Sequence, residues 1–210
     1  MDQLPIDYAR RLAPTNPLLA YQLVQVAKRN RLLGSYDLSY RFTSGVVDAP
    51  AQATFPTTLG EDFFVVDIRS TVQRPNAFAG SIFKAQSDFY NAMQSGIYVK
   101  LQVVGGPPGS KYIINDNFTP LEVIAPNANG QGKSVICGMD ATLLYSQTVR
   151  ADLTLRRAYP ESELPLDMTI AFLGWSLQCC DYRNALPPGD AVAYLRGLPE
   201  MESVNFSGRG

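Results

Sequence analysis

The chain has 210 residues, of which 46% are hydrophobic and 18% are charged, so it can bury a sizeable core and is not a disordered polyelectrolyte. It contains no histidine, which excludes Ser-His-Asp and Cys-His catalysis and any zinc or haem site built on imidazole. The formal charge of −1 gives no global attraction to nucleic acid or anionic lipid. We expect no nucleic-acid contact beyond a local one through the basic N-terminal segment.

Two further features bear on where the protein is made. No apolar run approaches the roughly 18 residues of a membrane span, and the first residues lack the basic and apolar regions of a signal peptide. The three cysteines, Cys137, Cys179 and Cys180, are an odd number and predict no disulfide framework. The sequence therefore predicts synthesis in a cytoplasm and no membrane partner.

Residues 1–34 are predicted to form an N-terminal arm followed by a helix. Pro5 and Pro14, with little hydrophobic periodicity between them, predict an extended arm over residues 1–16. Five basic and two acidic residues make this segment basic, whereas the rest of the chain is acidic. The basic residues are Arg10, Arg11, Lys28, Arg29 and Arg31.

The helix after the arm has clear boundary signals. Asn16 is a good N-cap, Pro17 suits the first helical position, and Gly34 is predicted to end the helix. Its apolar stripe consists of Leu19, Leu23, Val26 and Leu33, with Leu18 beside it.

Residues 35–197 are predicted to form a β-rich body. The segment YDLSYRFT (36–43) alternates aromatic or aliphatic with polar residues, which indicates a strand with one buried face. Further strands are predicted at 62–72, 97–104, 111–115, 121–125, 134–138, 147–157 and 168–180. The connections between most of these strands are too short for crossover helices, so antiparallel pairing follows. We expect an α+β, mainly β fold: an antiparallel β-sandwich or jelly-roll-like barrel.

Helices and a tail complete the predicted organisation. Residues 77–95 have the spacing of an amphipathic helix inserted into the body, and residues 186–197 could form a short closing helix. Residues 198–210 are assigned to a C-terminal tail. Because the two ends of the chain have compositions that usually fray, we expect contacts with neighbouring molecules to order them.

One segment resembles a phosphate-binding loop. The stretch 126–134 ends in Gly-Lys133-Ser134, but Asn127 stands where a P-loop has its first glycine, and a β-branched run follows where the motif requires a helix. A hairpin turn explains the same composition. A nucleotide-binding enzyme using this loop is therefore a less favoured alternative.

No catalytic, cofactor-binding or metal-binding residue is predicted, and we expect no enzymatic activity. A β-sandwich that binds carbohydrate is the principal alternative function. It would require Tyr36, Tyr40 or Tyr112 to line an open groove rather than to pack inward.

The chain resembles the structural proteins of tailed-bacteriophage virions. The segments that carry this resemblance are the arm and helix of residues 1–34, the segment DFFVVDIRSTV, the helix 77–95 and the strands up to residue 180. The resemblance implies a capsid-associated or connector and tail component, located in the virion after synthesis in the host cytoplasm. Its partners would be other copies of itself and other virion proteins.

The resemblance also implies a role for the N-terminal segment in assembly. Its apolar side chains would cover the surface of a neighbour, and its basic side chains would meet the acidic body of an adjacent copy. The residues concerned are Arg10, Arg11, Leu18, Leu19, Leu23, Val26, Lys28, Arg29 and Arg31.

Overall fold

The computed structural model describes residues 5–29, 32–55, 59–73, 95–105, 112–113, 117–126, 142–143, 146–177 and 188–206. The helices in these ranges are α1 (Pro5–Leu12), α2 (Pro17–Lys28), α3 (Leu121–Ile124) and α4 (Pro188–Arg196), with single 3-10 turns at Glu161–Glu163 and Pro199–Met201. The strands are β1 (Gly34–Phe42), β2 (Ala51–Thr54), β3 (Asp62–Gln73), β4 (Ile97–Gly105), β5 (Tyr112–Ile113), β6 (Thr119–Pro120), β7 (Thr142–Leu143), β8 (Gln147–Leu155) and β9 (Leu166–Leu177).

The strands form two antiparallel sheets, which confirms the predicted α+β, mainly β fold. The first sheet has the order β1-β9-β3-β7, and the second has the order β2-β8-β4-β5, with β6 also paired to β4. Side chains from the inner faces of both sheets meet in one apolar core, which includes Leu38, Phe172, Leu101 and Val149. This arrangement follows from alternation, because every second residue of each strand points to the same side.

Strand β3 contributes side chains to the cores on both sides of the first sheet, and it contains a bulge. Phe63 and Val65 point into the sandwich core, and Val66 is an extra residue between Val65 and Asp67 in the pairing with β9. After the bulge the alternation changes parity, so Ile68 faces the same core. Phe64 points to the opposite side of the sheet, where helices cover it.

These helices build a second apolar core on the outer face of the first sheet. The ring of Tyr8 in α1 lies edge-on to Phe64 and to Trp175, with centroid distances of 5.5 and 5.7 Å. Leu23 of α2 and Leu195 of α4 are buried in the same cluster. The protein is therefore built in three layers, with helices on one sheet and a second sheet on the other side of it.

The predicted extended arm is wrong. Pro5, Tyr8, Ala9 and Leu12 follow the spacing of one helical face, and all four are buried where α1 packs on α2 and the sheet. Two prolines outside the interior of the helix do not disturb it, since proline is tolerated in a first turn and after a helix end. The helical spacing in residues 5–12 was the signal that identifies α1.

The predicted helix after the arm is confirmed at its beginning and corrected at its end. The side chain of Asn16 accepts a hydrogen bond from the backbone N–H of Leu19 at 3.2 Å, as expected for an N-cap. However, α2 ends at Lys28, and Gly34 begins β1 instead of ending a helix. Leu33 consequently lies outside the apolar stripe and is half exposed.

Other boundaries also differ from the prediction. Residues 121–125 contain the short helix α3 rather than a strand, and the edge strand β2 was not predicted. The closing helix is confirmed as α4. The predicted tail is wrong through residue 206, because Met201 is buried and Val204 and Phe206 pack on the helical core. Three predictions lie outside the described residues: the helix 77–95 up to residue 94, the strand 134–138, and the loop 126–134 from residue 127 onwards.

Candidate assembly interface

Strand β1 forms one edge of the first sheet. Within the described part of the chain, β9 is the only strand that pairs with β1, and the nine pairs from Gly34–Gly174 to Phe42–Leu166 run without a register shift. The strand contains no proline and no bulge. Proteins usually protect exposed edges by such features or by short edge strands, because an open row of backbone groups can pair with another chain. A nine-residue regular edge is a surface suited to partner binding.

The outer face of β1 is polar and exposed. Arg41 donates two hydrogen bonds to the carboxylate of Asp167 on β9, at 2.6 and 2.8 Å. These contacts hold the pKa of Asp167 below its usual value and raise the pKa of Arg41 further. The hydroxyls of Ser39 and Thr169 lie 3.1 Å apart and share a hydrogen bond. Together these pairs position the outer side chains of the edge.

Asp37 is the remaining charged residue on this face of β1. Its side chain is exposed, and among the described residues no cation forms a salt bridge with it. Its neighbour across the pair is Ala171, which has no charge to offer. Among the described residues, the carboxylate of Asp37 is therefore not engaged in an ion pair on this face.

Exposed apolar side chains flank β1 at both ends. Leu32 is 89% exposed and Leu33 is 50% exposed just before the strand, and Val46 is 61% exposed and Val47 39% exposed just after it. Single exposed apolar residues are common, but two adjacent pairs beside an open edge indicate a contact surface. We call β1 and these four residues the β1 edge.

The loop after β1 is fixed by the body of the protein. The backbone N–H of Tyr159 donates to the carbonyl of Gly45 at 3.2 Å, and the N–H of Asp48 donates to the carbonyl of Leu155 at 2.9 Å. A Cβ atom at Gly45 would overlap the carbonyl oxygen of Tyr159, so only glycine allows this close approach. These contacts hold the intervening Val46 and Val47 in place at the end of the edge.

The apolar residues proposed for assembly have a different role. Leu19, Leu23 and Val26 are buried in the helical core of their own chain, and Leu18 is half buried. Their side chains cannot also cover a neighbour, so this prediction is wrong for the three buried leucine and valine residues. The reason is that the outer face of the first sheet, with Phe64 and Trp175, needs the same apolar stripe.

Most of the basic residues proposed for assembly also have partners within the chain. Arg10 donates from Nε to the carbonyl of Glu200 at 2.6 Å, which ties α1 to the C-terminal region. The guanidinium of Arg11 lies over the ring of Tyr8 at 4.8 Å. Lys28 donates to the hydroxyl of Tyr194 at 2.7 Å, and this contact raises the pKa of Lys28 and lowers that of Tyr194.

The other two basic residues proposed for assembly are Arg29 and Arg31. Arg29 is exposed at the end of α2, and Arg31 lies outside the described residues. The two ends of the described chain are therefore held mainly by each other and by the sheet. Residues 5–12, Val204 and Phe206 thus pack within their own chain, and the expectation that neighbouring molecules order the two ends stays a prediction.

Two of the three tyrosines of the carbohydrate alternative, Tyr36 and Tyr40, pack inward instead of lining a groove. Tyr36 packs edge-on against Phe63 with a centroid distance of 4.9 Å, and burial raises the pKa of its hydroxyl. Tyr40 packs edge-on against Phe42 at 4.8 Å. Both rings pack on the sandwich core. The structure does not describe the side chain of Tyr112. It also does not describe Lys133 and Ser134, the two residues of the nucleotide alternative.

A second polar surface lies on the outer face of the second sheet. Asp152 accepts hydrogen bonds from Gln52 at 2.7 Å and from Gln102 at 3.3 Å, and Arg150 donates to Gln102 at 2.9 Å. These contacts link β2, β8 and β4 across the sheet. The Nε atom of Arg150 has no hydrogen-bond partner and lies 3.7 Å from a carboxylate oxygen of Asp152, so the network holds this face together mainly through its other polar atoms.

The sequence predicts β1 as a strand but does not predict it as an interface. The sequence pattern that indicates the interface is that of the outer residues of β1, since Asp37 and Arg41 lie symmetrically about Ser39.

Within the described residues, no group of three or more Cys, Asp or Glu side chains is arranged to hold a metal, and no helix is long and apolar enough to cross a membrane. Comparison of the chain with known protein families, curated proteins and solved structures finds no match.

Proposed function

We propose that this protein is a structural subunit that works through protein–protein assembly, and that it is a component of a bacteriophage virion. The observation that carries the assembly role is the β1 edge, a nine-residue strand that has no second partner strand among the described residues and is flanked by exposed apolar pairs. An unprotected edge of this length costs solubility unless a partner covers it. The virion assignment rests on the resemblance of the whole sequence to virion structural proteins.

The three-layer body suits such a role. Both ends of the described chain pack on the first sheet, and the bond from Arg10 to the carbonyl of Glu200 joins them. A body closed in this way presents a rigid surface, so an assembly contact through β1 loses little conformational entropy. The subunit would therefore associate through a preformed edge rather than through a segment that folds on binding.

The test is the molar mass of the purified 210-residue chain, measured by light scattering and sedimentation over a range of concentrations. We expect a mass above that of one copy, rising with concentration, and regular rings or lattices in electron micrographs. Changing Leu32→Ser together with Val46→Ser should weaken association by about tenfold or more, because apolar area is lost from the contact.

The chain offers a matched control for this variant. Phe118 and Val123 are also exposed, at 40% and 45%, but lie near β6 in the second sheet. Changing both to serine should leave the association unchanged. A chain that remains a single copy at every concentration contradicts the assembly role.

A further inference from the structure

We infer that β1 pairs with β1 of a second copy of this chain, in antiparallel orientation and with Ser39 opposite Ser39. This inference rests on the proposed function and specifies its contact. The resulting interface would be isologous, since the same surface of both copies takes part. The first sheets of two copies would then join into one continuous sheet of eight of the described strands.

The alternation of side chains restricts the register. Residues opposite each other in an antiparallel pair point to the same face, so the outer residues of one β1 must oppose the outer residues of the other. A twofold axis therefore passes through a residue position and not between two residues. The residues near the middle of β1 through which this axis could pass are Leu38, Ser39 and Tyr40.

Charge selects one of these registers. With Ser39 at the centre, Asp37 of each copy lies opposite Arg41 of the other, which forms two equivalent ion pairs. With Leu38 or Tyr40 at the centre, each of these charges faces an uncharged Ser or Thr instead. Arg41 would then lie between its own Asp167 and the Asp37 of the second copy. Such rim charges contribute mainly to register and specificity.

The inner face of the strand is compatible with the same register. Tyr36 of one copy would lie opposite Phe42 of the other, and Leu38 opposite Tyr40. All four side chains belong to or pack against the sandwich core of their own copy. Pairs of aromatic and aliphatic residues across strands are favourable, so the apolar layer would continue from one copy to the next.

The apolar flanks complement each other as well. Antiparallel pairing brings the beginning of one β1 to the end of the other, so Leu32 and Leu33 of one copy approach Val46 and Val47 of the second copy. This happens at both ends of the ladder because of the twofold symmetry. Four exposed apolar pairs would thus be removed from water in two clusters.

Cysteine cross-linking tests the register directly. In Ser39→Cys, the two introduced thiols would lie opposite each other with Cα atoms about 4.5–5.5 Å apart, within the range of a disulfide. Mild oxidation should convert most of the protein to a linked dimer on non-reducing gels. The matched control is Ser35→Cys, on the same exposed face. Its two thiols would be about 27 Å apart and should link no more than the unsubstituted chain.

A charge variant provides a second measurement. Asp37→Lys places a lysine opposite Arg41 and should weaken dimerisation by about tenfold or more, while Arg41 keeps its bonds to Asp167. Glu202→Lys makes the same change of net charge on an exposed residue remote in sequence from β1 and should leave dimerisation unchanged.

The outcomes separate the two proposals. A chain that assembles, but links through Ser39→Cys no better than through Ser35→Cys, overturns this pairing and leaves the assembly role intact. Equal dimerisation by Asp37→Lys and Glu202→Lys likewise overturns the register. A chain that does not associate at all overturns both the pairing and the proposed function.

Discussion

The helices α1 and α2 and the strand β1 are neighbours in sequence but use their apolar residues in opposite ways. Leu23 of α2 is completely buried against the first sheet, whereas Leu33, ten residues later, is half exposed. The helical stripe finds a complementary surface in the same chain, formed by Phe64 and Trp175. The β1 edge finds none among the described residues. An apolar pattern in the sequence therefore indicates burial, but only the fold shows whether the residues are covered by their own chain or by another molecule.

Strand β9 shows the same contrast along one face. Its outer residues Trp175 and Leu177 are buried where the helices cover the sheet. Further along the strand, the same face carries Asp167 and Thr169, which bond to Arg41 and Ser39 of β1. The change from apolar to polar marks the limit of the helical layer. It also explains why the outer face near β1 needs no cover, although its backbone edge does.

The largest expected change in stability comes from a substitution in the helical core, where the apolar residues are covered by the same chain. Leu23→Ala should lower the free energy of unfolding by about 2–5 kcal/mol, because it removes a fully buried side chain and leaves a cavity. Leu33→Ala should change it by less than about 0.5 kcal/mol, since that side chain is half exposed. Urea unfolding with an unchanged m-value measures both.

These two leucines also separate stability from assembly. Leu33→Ala should weaken association in light scattering while the unfolding midpoint of the isolated subunit stays constant. If Leu23→Ala is as stable as the unsubstituted chain, the helical layer is not packed on the sheet as described.

Two glycines that face each other across β1 and β9 give the next effect. A Cβ atom at Gly174 would overlap the carbonyl oxygen of Phe64 and approach the ring of Phe63 to 2.9 Å. At Gly34 the nearest atoms to such a Cβ are 4.0 Å away. Gly174→Ala should therefore cost about 1–3 kcal/mol of stability, by overpacking beside β3. Gly34→Ala should be nearly neutral.

This pair tests how closely the rest of the chain packs over each of the two glycines. Thermal unfolding of both variants under the same conditions is sufficient, because the chemical change is identical. Equal losses would mean that the face of the sheet at Gly34 is packed as closely as the face at Gly174.

Much of the fold follows from the sequence, because the signals are local. The alternation in residues 36–43 predicts β1, and Asn16 with Pro17 predicts the beginning of α2. The sequence does not predict α1, because Pro5 and Pro14 indicate an extended segment even though Tyr8, Ala9 and Leu12 have helical spacing. Proline limits a helix only in its interior.

The interface was less accessible to sequence reasoning. Basic and apolar residues in the N-terminal segment suggested an assembly surface, but such residues also suit a helix packed on its own sheet. Which strand lies at an edge depends on the order β1-β9-β3-β7, and that order is set by long-range pairing. The symmetry of Asp37 and Arg41 about Ser39 becomes meaningful only after β1 is known to be an edge.

The smallest expected effect concerns the pair that orders the outer face of β1. Because Arg41 holds the pKa of Asp167 below its ordinary value of 3.8, the folded state binds this proton less readily than the unfolded chain. The stabilisation is therefore present above about pH 3.8 and is lost as the pH falls through the lower folded-state pKa. Asp167→Asn should remove this part of the acid dependence.

The magnitude should be smaller than that of the two preceding variants, because both side chains are largely exposed to solvent, at 63% for Arg41 and 37% for Asp167. Urea unfolding at neutral pH and in acid compares the variant with the unsubstituted chain. Their stabilities should converge as the pH falls. A difference that stays constant with pH would show that Asp167 acts through packing and not through its charge, and the ion pair would then have no part in ordering the edge that β1 presents to a second copy.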